Sequence, residues 1–137
     1  MTTLHNTNGK KILKKTIEDC FMNKFGAGSI PELKTFDGSE YPINIMVPHA
    51  GYVYSGPTAA HAYSKLVKDG YPETFVILCP NHTGYGADVS VYNEGSWVVP
   101  NGVCDVDNEL ADEIIKRGFK MKSLNTLILQ RLISMHI

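Results

Sequence analysis

The sequence predicts an α/β fold, a three-layer sandwich in which helices cover both faces of a mainly parallel central sheet. Two short apolar runs, 43–47 and 74–79, have the composition of strands, and a helical pattern separates them. Both runs are apolar almost throughout, as expected of strands that are buried on both faces. A strand, a helix and a strand in this order predict a βαβ unit with a right-handed crossover.

A first helix is predicted ahead of these strands, over residues 10–25. Apolar residues recur there at every fourth position while lysines fall on the other side, which is the pattern of an amphipathic helix. Glycines at positions 26 and 28, followed by a proline at 31, predict the end of this helix. Residues 1–9 offer almost nothing to bury, so they are predicted to form a flexible N-terminus. The recurring apolar residues are Leu13, Ile17, Phe21 and Phe25.

A second helix is predicted to follow the first strand. It should begin at residues 55–57, because proline is favoured at the first helical position, and it should end at Asp69 and Gly70. The residues predicted to form its buried stripe are Ala59, Ala62, Tyr63, Leu66 and Val67.

The second half of the chain predicts a hairpin and a third helix. Residues 88–92 alternate as in a half-buried strand and are expected to pair with 96–99 through a turn at 93–95. Asp107 is predicted to cap a helix that extends to residue 118. The residues of this helix that are predicted to face inward are Leu110, Ala111, Ile114 and Ile115.

Composition narrows the classes of protein to consider. A net charge of −1 argues against nucleic-acid or membrane-surface binding through bulk charge. No apolar run approaches the length of a membrane span, and the N-terminal residues lack the apolar core of a signal peptide. Three widely spaced cysteines suit a reducing compartment, so a cytoplasmic protein is predicted.

A histidine follows each of the two predicted strands. His49 comes two residues after the first strand and His82 three residues after the second. The carboxyl ends of adjacent parallel strands meet at one edge of a sheet, where open α/β sheets bind ligands. Two imidazoles at that edge indicate a shared metal or anion site. The alternative for each histidine is an ordinary polar surface residue, and the bare pattern leaves both open.

Other reactive residues give weaker signals. Cys79 stands three residues before His82, a spacing found in zinc sites, but a buried structural thiol at the end of a strand is the favoured interpretation. Cys104 is interpreted as a small loop residue, and His61 as part of the polar face of the second helix. Tyr52 is a candidate wall of a pocket, with ordinary packing as the alternative.

Three segments together resemble the Memo family, whose prokaryotic members are also called AmmeMemoRadiSam system protein B. Residues 47–63 read VPHAGYVYSGPTAAHAY, residues 77–86 read ILCPNHTGYG and residues 99–107 read VPNGVCDVD. The resemblance extends from about residue 10 to about 118, which we therefore treat as a Memo-like α/β domain.

The resemblance carries expectations about fold and site. The family's fold is similar to that of the class III extradiol dioxygenases (LigB-like), with a non-haem iron site at the sheet edge. It implies that His49 and His82 are two metal ligands, with Fe(II) as the expected ion and zinc as the alternative. It also implies that Tyr52, Asn81 and Thr83 shape the pocket. The resemblance also implies a third metal ligand, a cysteine that lies far along the chain in the family and beyond the residues present here.

The last segment, 119–137, has a different character from the rest. It contains no acidic residue, no proline and no glycine, and it does not resemble the family, whose members continue with an EHSIEVQ-like segment. One interpretation is a C-terminal helix packed on the sheet, and the other is a frameshifted end. On the second interpretation, the chain is the N-terminal half of a Memo-like protein, and its sheet is incomplete.

Two functions of different class follow. The first is a Memo-family protein with a non-haem iron site and dioxygenase-like activity toward an unidentified small molecule. The second is a non-catalytic module that binds a peptide or a phosphorylated ligand in the same cleft; eukaryotic relatives are linked with signalling and motility partners. A zinc hydrolase is a weaker third, since no acidic residue stands near either histidine at a ligand spacing.

Overall fold

The computed structural model describes residues 7–34, 44–70, 72–80, 82, 90–117 and, for the backbone alone, 126–131. Within them lie three helices and five strands. The chain divides into two compact units, Met1–Pro72 (unit 1) and Glu73–Ile137 (unit 2). None of the helices in these ranges is long and apolar enough to cross a membrane.

Unit 1 is built on two helices, of which the first is α1, Thr7–Met22. It begins and ends three residues earlier than the sequence predicts. Two backbone hydrogen bonds terminate the helix. The Gly26 N–H donates to the Asn23 carbonyl at 2.8 Å, and the Gly28 N–H donates to the Phe21 carbonyl at 2.9 Å. Gly28 has a φ of +77°, a conformation that costs glycine little, so the predicted glycine stop is confirmed.

The second helix, α2, spans Tyr52–Asp69 and so starts earlier than predicted. Gly51 is its N-cap, and the Gly51 carbonyl accepts the N–H groups of Tyr54 and Ser55 at 2.9 and 3.1 Å. Pro57 consequently lies inside the helix and does not open it. The buried face is also rotated from the predicted stripe, since only Leu66 is common to both. Small residues make up the rest of that face, and the residues buried on α2 are Ser55, Ala60, Ser64 and Leu66.

Helices α1 and α2 are in close contact. The Cys20 thiol donates to the Tyr52 carbonyl at 3.7 Å, and Nε2 of His61 lies 3.0 Å from the Phe25 carbonyl. A carbonyl only accepts, so this nitrogen of His61 carries the proton. A Cβ placed on Gly56 would overlap the sulfur of Cys20. Glycine at position 56 therefore permits the approach of the two helices.

The strand predicted over 43–47 is wrong for the four of its residues that the structure describes. Residues 44–49 belong to no helix and to no paired strand, and Met46 is largely exposed. A strand requires a neighbour for its backbone hydrogen bonds, and no described strand pairs with this segment. The βαβ unit is therefore not present in the described residues, and the three-layer architecture stays a prediction.

Unit 2 contains one sheet, made by β1 (Thr74–Cys79), β2 (Val91–Tyr92), β3 (Ser96–Val99), β4 (Gly102–Asp105) and β5 (Thr126–Arg131). The strand order is β1-β5-β4-β3, with β2 also beside β5. The β2–β5 pair is parallel and the others are antiparallel. The predicted strand 74–79 is confirmed residue for residue.

Two sequence predictions about this sheet are wrong. The hairpin is formed by β3 and β4 around residues 100–101, with Val99 opposite Gly102, whereas β2 pairs with β5 and not with β3. The predicted C-terminal helix is also wrong for Thr126–Arg131, which forms β5 along the whole of β1. In both cases the partner comes from a distant part of the chain, which local periodicity does not report.

Helix α3 spans Asn108–Lys116, and Asp107 is its N-cap, as predicted. Oδ1 of Asp107 accepts the Leu110 N–H at 3.1 Å, and Oδ2 accepts the Thr74 hydroxyl at 3.0 Å. One carboxylate therefore caps α3 and ties it to the first residue of β1. Ala111, at 0% exposure, is the centre of the core, with Val91, Leu110 and Ile114 packed around it. Ile115 was predicted to face inward but is 47% exposed.

Candidate functional site

His49 lies in the loop that leads into α2. Its side chain is exposed, and it precedes the N-cap Gly51 by two positions. A hydrogen bond connects this loop to the helix: the hydroxyl of Ser55, a buried residue, donates to the Ala50 carbonyl at 2.9 Å. The residue next to His49 is thus held by a hydrogen bond to the first turn of a helix.

His82 follows β1 in unit 2. It is exposed and stands three residues beyond Cys79, the last residue of that strand. The strand is paired over its whole length with β5, so the chain that leads to His82 starts from an ordered ladder. The predicted pocket residues on either side, Asn81 and Thr83, lie outside the described residues.

The structure brings only some of the predicted site residues together. His49 and Tyr52 share the junction between loop and helix in unit 1, whereas His82 belongs to unit 2. The convergence of the two histidines on one ion therefore stays a prediction. In the described part of the chain, no group of three or more His, Cys, Asp or Glu side chains could hold a metal ion.

Tyr52 borders a groove between α1 and α2, with a volume of about 340 Å³. Sequence reasoning missed the contribution of α1 to this groove, because side chains on two helices meet only in the folded unit. Gly56 was the sequence signal that could have indicated this contact between the helices, since a glycine inside a helix often marks a close approach by another element. The residues that line the groove are Thr16, Asp19, Cys20, Asn23, Tyr52, Val53 and Pro57.

Two ionisable groups of unit 1, Cys20 in the groove and Tyr63 on α2, have raised pKa values. Burial, and secondarily the charge of Asp19, raises the pKa of the Cys20 thiol above its ordinary value of 9.0. Burial, and secondarily the phenol of Tyr52, raises the pKa of Tyr63 above 10.0. A thiol acts as a nucleophile only as the thiolate, so Cys20 is a hydrogen-bonding and packing group at neutral pH.

Cys104 is not the loop residue that the sequence predicts, because it lies in β4 and is buried. Burial, followed by the charge of Asp105, raises the pKa of its thiol above 9.0. Cys79 ends β1 and is half-buried, in line with its predicted structural role. None of the three cysteines of the chain forms a disulfide.

The buried thiol of Cys104 should make unit 2 less stable in alkaline solution. Because its pKa is higher in the folded than in the unfolded state, the neutral thiol contributes fully to stability below the ordinary pKa, and this contribution is lost as pH rises through the folded pKa. Urea unfolding followed by the fluorescence of Trp97 should show a midpoint that falls between about pH 8 and pH 10. The decline should be shallower in Cys104→Ala.

Val103→Ala is the matched control for this experiment. It shortens an exposed, non-titrating neighbour on the same strand, so it should keep the pH dependence of the parent. An equally steep decline in Cys104→Ala and the parent would contradict the assignment to Cys104.

Comparison with known proteins assigns the chain to a family. The profile of the Memo-like protein family matches residues 4–128. A MEMO1 family protein of Methanobrevibacter smithii is 56% identical over 103 residues, which are 75% of this chain and 36% of the relative. A MEMO1 family protein of Methanothermobacter thermautotrophicus is 49% identical over 107 residues, which are 77% of this chain and 37% of the relative.

The aligned region spans little more than a third of the length of these relatives. No solved structure matches the chain at a significant level. Because the family profile covers most of the sequence and the relatives share about half of the aligned residues, the chain belongs to the Memo-like protein family.

Proposed function

We propose that this chain is a metal-binding member of the Memo family in which His49 and His82 are ligands of one Fe(II) ion. The observation that carries the proposal is the position of both histidines: each is exposed and stands three residues from a defined element, in a motif that resembles the family's. The names of the relatives assign no reaction. The dioxygenase-like activity is thus a proposal, since the chain spans little more than a third of the length of these relatives.

The chemistry of the two side chains fits a divalent first-row metal. Neutral imidazole is a good ligand for iron and for zinc, so zinc is the competing ion. In the ranges that the structure describes, no cluster of three or more His, Cys, Asp or Glu side chains is arranged to hold a metal ion, so the proposal names two protein ligands. An Fe(II) ion with open coordination positions would supply a site where a small molecule and oxygen bind.

The residues of this chain would orient the ligand and shape one side of the pocket. The Ser55–Ala50 hydrogen bond restricts the loop that carries His49, which lowers the entropic cost of holding the imidazole in one position. Tyr52, half exposed at the start of α2, would form a wall beside that loop.

Equilibrium metal binding tests the proposal. Two imidazoles without a third protein ligand hold a divalent metal weakly, so we expect loss of iron on desalting but saturable binding of one Fe(II) per chain in anaerobic dialysis. His49→Ala and His82→Ala should each weaken this binding by about tenfold or more, because each removes half of the protein ligands. Elemental analysis of the dialysed chains is the measurement.

His5→Ala is the matched control, since the proposal gives that histidine no role, and it should bind iron as the parent does. His61→Ala is a second control within unit 1 and should also retain binding. Equal iron binding in the parent and in both His49→Ala and His82→Ala would refute the proposal.

A metal-independent binding module is the second candidate, and the groove beside Tyr52 favours it. The groove has partly apolar walls, and Val53 on its rim is largely exposed, as in a site that receives a peptide side chain. Oxygen uptake with catechols separates the two candidates. The iron protein should consume oxygen in an iron-dependent manner, whereas a binding module should be indifferent to iron.

A further inference from the structure

The groove between α1 and α2 has an acidic side and an apolar side. The Asp19 carboxylate belongs to α1, and among the described residues that line the groove it is the one with a formal charge. On the α2 side, Val53 and Pro57 supply apolar surface, and Val53 is 88% exposed. A ligand that is complementary to both sides combines a positive charge with an apolar chain.

The hydrogen-bonding groups of the groove also favour a ligand that donates. The Thr16 hydroxyl donates to the Ile12 carbonyl at 2.9 Å, and the Cys20 thiol donates to the Tyr52 carbonyl. These protons are therefore engaged, whereas the oxygen of Thr16 and the carboxylate of Asp19 are acceptors. The charge of Asp19 also acts within the groove, because it is the second cause, after burial, of the raised pKa of the Cys20 thiol.

The Asp19 carboxylate suits an ammonium group better than a guanidinium. Its Oδ1 lies 3.0 Å from Nζ of Lys15, but the two side chains are 63% and 74% exposed, so this ion pair is weak and another cation can displace it. A guanidinium binds a carboxylate best through both oxygens, whereas an ammonium is a point charge. With Oδ1 shared, the groove favours lysine over arginine.

We propose that this groove binds the lysine side chain of a peptide partner, with its ammonium on Asp19 and its carbon chain against Val53 and Pro57. A peptide suits the surface better than a free amine, because Tyr54, next to Val53 in the chain, is 86% exposed and adds apolar area that residues flanking the lysine would cover. Asn23, also in the lining, has an amide NH₂ group that can donate to a peptide carbonyl. The inference rests on the second candidate function, the metal-independent binding module, and requires no iron.

Titration of the ¹⁵N-labelled chain with capped tripeptides, followed through the chemical shifts of backbone amides, tests this inference. One probe has the sequence leucine, lysine, leucine, and the other has norleucine in place of lysine, which keeps an apolar chain without the charge. We expect the lysine peptide to bind about fivefold more tightly and to shift amides within residues 16–23 and 52–56. Asp19→Asn should abolish this preference and leave the affinity for the norleucine peptide unchanged.

Glu18→Gln is the matched control, because it removes an equal charge from the neighbouring position of α1, outside the described lining of the groove, and it should keep the preference. Lys15→Gln should tighten binding of the lysine peptide about twofold, since it removes the competing ammonium.

Three outcomes would count against the inference. Equal affinities for the two peptides, or equal effects of Asp19→Asn and Glu18→Gln, would overturn it while leaving peptide binding by the groove in place. A free amine, n-pentylamine, that binds as tightly as the lysine peptide would overturn the assignment to a peptide. If neither peptide shifts the amides of the groove, the second candidate function is refuted as well.

Discussion

Ala111→Asp should lower the free energy of unfolding of unit 2 by about 3 kcal/mol or more. Ala111 is fully buried at the centre of a small core made with Val91, Leu110 and Ile114. A carboxylate at this position would lose its hydration, and the side chains described as packed against it, those of Val91, Leu110 and Ile114, are apolar and offer it no charge partner. Among the residues of unit 2 whose burial is described, Cys104 and Val106 are the other buried apolar ones, so Ala111 is a large part of that core.

Urea unfolding followed by the fluorescence of Trp97 measures this effect, since Trp97 is the one tryptophan of the chain and lies in β3 of the same unit. Its ring packs edge-to-face on Tyr92, with the centroids 5.4 Å apart, so the signal reports on the packed sheet. Ile115→Asp is the control, since it places the same charge on the exposed side of the same helix and should cost only about 1 kcal/mol. Equal effects of the two substitutions would show that Ala111 is not the core of the unit.

Gly56→Ala should destabilise unit 1 by about 1–3 kcal/mol, although alanine is the better helix former. The added methyl group would overlap the Cys20 sulfur, and it would also stand 3.3 Å from the Cys20 Cβ. The two helices would have to separate, which would weaken the bond from the thiol to the Tyr52 carbonyl. Thermal unfolding followed by far-ultraviolet circular dichroism reports on this helical unit.

The same substitution should become favourable once the sulfur is removed. In a Cys20→Ala background the obstruction is reduced to the Cβ, so Gly56→Ala should stabilise the unit by up to about 1 kcal/mol through its helix propensity. The double-mutant cycle thus predicts a change of sign. Independent, additive effects of the two substitutions would contradict the proposed contact between Cys20 and Gly56.

Local sequence signals predicted several elements of this fold correctly. Strand β1 and the cap of α3 at Asp107 were predicted at the residues where they occur, because a run of β-branched residues and a capping side chain act over a few positions. The end of α1 was also signalled by its glycines. These features depend on backbone sterics and on hydrogen bonds to near neighbours.

Pairing and helix orientation were predicted less well. One of the two interpretations of 119–137 made β5 part of a helix, and β2 was expected to pair with β3, because period and turn residues do not identify a partner strand. The buried face of α2 was assigned to larger apolar residues, whereas the folded unit buries Ser55, Ala60 and Ser64 against its surroundings. At Gly56 the closeness of α1 requires the smallest residue, since a Cβ there would overlap the Cys20 sulfur, and the sequence of α2 alone does not reveal this contact.

For the candidate site, the sequence identified His49, His82 and Tyr52 by their motifs, and the structure shows the elements that carry them. The groove beside Tyr52 emerged only from the structure, since its lining combines residues of two helices.

The sequence by itself determined the family, the type of several elements and the side chains available for metal binding, because these depend on residue identity and on short-range order. The tertiary structure alone decided which strands pair, which face of α2 is buried and where apolar surface stays exposed, as at β1. The physical reason is that burial and strand pairing are properties of two surfaces in contact, and each segment of sequence describes only one of them.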